Sequence, residues 1–147
     1  MTVTSLAQET IHQIRDECLC RATQRAARLL ARRFDRLFAP LGITNGQFSM
    51  LLALGGEWQP RLGELAHFLA MDSATVTAAA RTLEKHGLVT READESDARA
   101  RHLRLSDAGQ AVLARAVPLW QQEHARLAAD LADGDPAALV HRLAQLR

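Results

Sequence analysis

The chain has 147 residues, 48% of them hydrophobic and 24% charged, which is enough to bury one domain's core without disulfides or metals. Its net charge of +1 does not announce a nucleic-acid partner, although a basic face balanced by an acidic remainder gives the same sum. No apolar run approaches the roughly 18–20 residues of a membrane span, and the opening MTVTSLAQET lacks a secretory signal's basic start and apolar stretch, so a cytoplasmic chain is expected.

Residues 6–38 read as one long helix, because Ile11, Ile14, Cys18, Ala22, Ala26, Leu29, Leu30 and Leu37 recur at three-and-four spacing. Arg21, Arg25, Arg28 and Arg32 fall on the opposite side as a solvated face, and Pro40 and Gly42 end the helix. Thr44 caps a second helix over about 45–55, with Phe48, Leu51, Leu52 and Leu54 inward, and Gly55-Gly56 stops it. Trp58 and Pro60 fall in a linker.

A short helix over 63–69 turns Leu65, Ala66 and Leu69 inward, and Ala70-Met71-Asp72 makes a tight connection. Asp72 or Ser73 caps the next helix, about 73–86, whose inward side is Val76, Ala79, Ala80 and Leu83. Gly87 suits the left-handed position after it. Residues 88–92 and 102–105 alternate like two strands of a hairpin with a charged tip, and a short strand is expected near Arg61. Ser106 then caps a long helix that contains Pro118, and Leu139, Val140, Leu143 and Leu146 form one face of a last helix after Gly134-Asp135-Pro136.

Helix, tight turn, helix and hairpin together are the layout of a winged helix-turn-helix. The fold class is therefore mainly α with a small β-hairpin wing, and the second helix is of a size to enter a major groove. With Val76 inward, Ala74, Ala78, Arg81 and Lys85 point outward, flanked by Ser73, Thr75, Thr77 and Thr82. Small and hydroxyl residues allow close approach, and the two cations reach bases or phosphates. The same pattern also describes an ordinary amphipathic helix with a polar face. Asp97, Arg99 and Arg101 at the hairpin tip suit a minor groove, with Asp97 bracing Arg99; a solvated charged loop is the plainer alternative.

Residues 62–109, LGELAHFLAMDSATVTAAARTLEKHGLVTREADESDARARHLRLSDAG, resemble the MarR family of bacterial transcriptional regulators. Asp97-x-Arg99, Leu103-x-Leu105-Ser106 and Gly109 sit where that family carries its wing motif, and residues 38–44 with Gln47-Phe48 match its upstream spacing. The resemblance implies one domain over 1–147, with a winged core at about 44–106 and dimerisation helices at about 6–38 and 107–147. It also implies a homodimeric repressor that binds a palindromic double-stranded DNA operator and releases it on a small-molecule signal. One departure is Ala78, where many relatives carry arginine; this throws weight onto Arg81.

Cys18 and Cys20 are the only cysteines, too few for a disulfide framework and without partners for a zinc site. On a continuous helix they point about 200° apart and cannot bond to one another. By the resemblance, Cys20 stands where the family's organic-hydroperoxide sensors carry their reactive cysteine. Those sensors support it with tyrosines; this chain has none, and Phe34 and Asn45 stand at the corresponding positions. A thiol without such support reacts slowly, so a buried helical cysteine is expected and a redox regulator working through Cys20 is the alternative. The six histidines suggest no ligand set, and no nucleophile–base pair, metal set or phosphate loop appears, so neither an enzyme, a metal nor a cofactor is expected.

Overall fold

The computed structural model describes residues 7–93, 101–131 and 134–146. The order is α1 (Gln8–Glu17), α2 (Leu19–Phe38), a 3-10 turn, α3 (Asn45–Ala53), α4 (Leu62–Phe68), α5 (Ser73–Lys85), β1 (Val89–Ala93), β2 (Arg101–Leu105), α6 (Asp107–Asp130) and α7 (Pro136–Leu143). The mainly helical class and the hairpin agree with the sequence reading; where a short strand was expected near Arg61 there is only an isolated bridge between Arg61 and His102.

The core is built from the C-terminal half of α2 and from α3 to α6. Phe38 stacks on Phe48 with centroids 4.5 Å apart, and Leu51, Leu65, Val76, Leu83 and Leu103 are fully enclosed around them. Three helix starts are fixed by side-chain oxygens that satisfy orphan backbone N–H groups: Thr44 accepts from Gln47 N, Asp72 from Thr75 N and Ser106 from Gly109 N. Ser106 Oγ also donates to the carbonyl of Gly87 at 2.5 Å, which ties the end of α5 to the start of α6.

The structure corrects the sequence reading of the helices in two places. The first helix is not continuous. Cys18 has extended backbone (φ −69°, ψ 103°), and its Sγ accepts from Arg21 N at 3.5 Å, so Cys18 ends α1 and caps α2. Apolar periodicity runs through this break because the sequence there holds neither proline nor glycine. Secondly, Leu52 is exposed on the outer side of α3. The apolar faces of the terminal helices, Ile11, Ile14, Leu29 and Leu30 near the start and Leu139, Val140, Leu143 and Leu146 near the end, are exposed, and among the described residues nothing covers them.

Beneath α2, Glu123 of α6 is buried and accepts from the guanidiniums of Arg33 and, at 3.1 Å, Arg126. Arg33 also reaches Asp130 at 3.4 Å. The hydrogen bond from Arg33 holds the Glu123 carboxyl below its ordinary pKa, against the opposing effect of burial. Glu123 lies between Trp120 and Leu127 on the inward line of α6, so the position was readable as inward; that it would be ionised and paired was not.

Candidate nucleic-acid interface

The turn between α4 and α5 is held by Met71 N donating to Ala66 O at 2.9 Å, with Ala70 in the left-handed region at φ 50°. This sharp reversal lets α5 rest on the core through Val76, Ala80 and Leu83 while its opposite side faces outward. Ser73, Ala74, Thr75, Ala78, Arg81, Thr82 and Lys85 are exposed along α5, and Thr77 is half-buried at its margin. The helix therefore presents the row of side chains expected from its periodicity.

Not every hydroxyl on that face is equivalent. Thr75 Oγ1 donates to Asp72 Oδ2 at 2.5 Å and Thr82 Oγ1 donates back to Ala78 O at 3.1 Å. Both donors are engaged within the helix. Asp72 is held below the ordinary carboxylate range, first by the Thr75 hydroxyl and then by the Thr75 amide, so the cap is ionised at neutral pH.

The hairpin is joined to α5 by a contact that sequence reasoning missed. Arg91 Nε of β1 donates to Glu84 Oε2 of α5 at 2.8 Å. Arg91 pairs with Leu103 across the sheet and, like it, faces inward, which the alternation over 88–92 signalled without naming its acidic partner. On the other side of the hairpin, Arg104 reaches Glu92 at 2.8 Å. The base of the wing is further fixed where Leu103 N donates to Pro60 O at 3.1 Å. Arg101 is exposed at the start of β2; Asp97 and Arg99 lie outside the described residues.

The chain resembles several proteins of this architecture. The model of the MarR family matches residues 43–100. The DNA-bound crystal structure of the M. tuberculosis transcriptional regulator MosR is 35% identical, covers 88% of this chain and 93% of its own, and superimposes with a TM-score of 0.78. The chain belongs to the MarR family. The transcriptional repressor CouR, bound to a 23-mer DNA duplex, is 32% identical over 97% of this chain and 99% of its own, with a TM-score of 0.82. The organic hydroperoxide resistance transcriptional regulator of Bacillus subtilis is 27% identical over 74% of each chain.

Within the MarR frame, the two thiols are placed differently from expectation. Cys20 is exposed in the first turn of α2 rather than buried, and accepts from Gln24 Nε2 at 3.2 Å; Cys18 is half-buried at the helix break. Phe34 is buried against Phe38 and His124, and the backbone of Asn45 donates to Asp35 Oδ1 at 2.7 Å.

Two open grooves carry the tryptophans. Trp120, whose ring is tilted against that of His124 with centroids 4.1 Å apart, lines one of about 750 Å³ between α6 and α7, with Val140 and His141 opposite. Trp58 meets Phe68 edge-on at 5.2 Å beside a second. Among the described residues, no group of three or more His, Cys, Asp or Glu is placed to hold a metal ion, and no helix is long and apolar enough to cross a membrane.

Proposed function

We propose that this chain is a cytoplasmic, homodimeric transcriptional regulator that reads a palindromic operator with α5 in the major groove. The carrying observation is the outer side of α5, where small residues in the N-terminal half are followed by Arg81 and Lys85, all exposed beyond a tight turn. Arg81 makes the base contact; Ser73, Ala74, Thr75, Thr77 and Ala78 form the close-approach surface, and Lys85 meets phosphate. The wing, through Arg99 and Arg101 with Asp97 as brace, takes the minor groove.

Dimerisation is supported by the uncovered apolar helices. Neither α1 nor α7 contains a buried residue, and Ile14, Leu19, Val140 and Leu146 are each more than half exposed. Helices of this length are not stable alone in water, so a second copy is needed to cover them. Repression is supported by a relative named as a transcriptional repressor and bound to DNA; release on a small-molecule signal is what the family resemblance implies.

Selection of bound duplexes from a random pool tests the reading. It should return a two-fold symmetric sequence whose half-sites lie about 34–36 Å apart, one helical turn. A pool that remains unenriched contradicts it. Light scattering at micromolar concentration should show a dimer, and Leu143→Glu should weaken it; a stable wild-type monomer would exclude the dimeric form.

A further inference from the structure

We propose that Arg91 is a positioning residue for Arg81: by holding the Glu84 carboxylate against the wing, it keeps Arg81 free for DNA. The inference rests on the proposed reading of DNA by α5. Arg81 and Glu84 stand three residues apart on α5, the spacing at which helical side chains of opposite charge meet. By local geometry alone, Glu84 is the partner of Arg81. The structure pairs it elsewhere. Arg91 Nε donates to Glu84 Oε2 at 2.8 Å, and the two side chains keep only 27% and 31% of their exposure. Arg81 is exposed, and among the described residues its side chain makes no hydrogen bond or ion pair.

The sheet sets Arg91 for this task. The chain leaves α5 through Gly87 at φ 71°, and Leu88 N donates back to Leu83 O at 2.9 Å, so β1 starts directly against the last turn of the helix. Arg91 pairs across the hairpin with Leu103, which is enclosed and whose amide donates to Pro60 O at 3.1 Å. Alternation turns the neighbouring Glu92 to the other face, where it takes Arg104 at 2.8 Å. Arg91 is thus left to Glu84.

On α5, Glu84 follows Thr77 by seven residues, close to two helical turns, so it lies on the margin of the outer face. Lys85, the next residue, does not face it. An unpaired carboxylate at this margin would draw Arg81 along the helix and meet DNA phosphate with like charge. Held by Arg91, it does neither.

The test uses the full chain with a duplex selected by the wild type, in wild type, Arg91→Gln, Glu84→Gln and the double variant. Arg91→Gln should bind about fivefold more weakly, the upper range for a partly exposed ion pair, and lose base preference only where Arg81→Ala loses it. Glu84→Gln should bind at least as tightly as wild type, and adding it to Arg91→Gln should restore both affinity and preference. A pair that merely anchored the wing would behave otherwise: either single variant would weaken binding, and the double variant would not recover. That pattern, or an Arg91→Gln that binds like wild type, overturns the proposal. A second arm needs no DNA. The Arg81 Nε–H resonance of the free protein should shift on Arg91→Gln and return in the double variant; a resonance that stays in place overturns the proposal as well. If it moves as expected while no duplex is selected, the hold on Glu84 stands and the DNA-binding reading fails.

Discussion

Gly109, in the first turn of α6, lies directly against the backbone carbonyl of Leu88, so close that a Cβ there would overlap the oxygen. Leu88 O also accepts from Ser106 N at 3.1 Å, so the carbonyl is held from the same side and has little freedom to retreat. Gly109→Ala should therefore destabilise the protein by roughly 3 kcal/mol, the upper range for forced overpacking. Chemical denaturation at fixed protein concentration measures it, and a change under about 0.5 kcal/mol, typical of surface sites, would show that the contact relaxes freely.

Ala70 is the opposite case. It holds φ 50° in the turn before α5, where a Cβ is unfavourable. Ala70→Gly should stabilise the protein by roughly 0.5–1 kcal/mol, the relief of left-handed strain less glycine's greater freedom when unfolded. Loss of stability would mean that the turn is not strained by its side chain.

Glu123 makes stability depend on pH. Its folded pKa lies below the ordinary 4.5 because Arg33 stabilises the charged form. The contribution is thus fully present above that ordinary value and is lost as pH falls through the lower folded one. Glu123→Gln should lower Tm by roughly 3 °C at pH 7, and the gap to wild type should close in acid. A gap that stays constant from pH 7 to pH 3 would remove the ionised pair from the account.

The core of the fold was legible because several independent signals agreed over residues 44–109. Thr44, Asp72 and Ser106 each cap a helix as their chemistry predicts, Gly87 takes φ 71°, and Val76, Ala80 and Leu83 are inward. The break at Cys18 was not legible. A thiol is a weak cap, and the residues on both sides continue a helical period that suits an apolar face whether or not the helix is straight. The ion pair of Arg33 with Glu123 joins residues 90 apart, a juxtaposition that no local pattern encodes. On the interface, periodicity identified which side of α5 faces outward, but not that Thr75 and Thr82 spend their hydroxyl protons within the helix.

The claim that α5 reads sequence through Arg81 is tested most directly by base-by-base substitution of the selected duplex, with wild type and Arg81→Ala compared across a salt series. A bidentate contact to guanine discriminates by about 1–3 kcal/mol. Wild type should therefore lose roughly tenfold or more at one symmetric pair of positions, and Arg81→Ala should bind more weakly and become indifferent at those positions alone. If Arg81→Ala binds like wild type and keeps every base preference, α5 is not read through Arg81 and the account's central assignment is wrong.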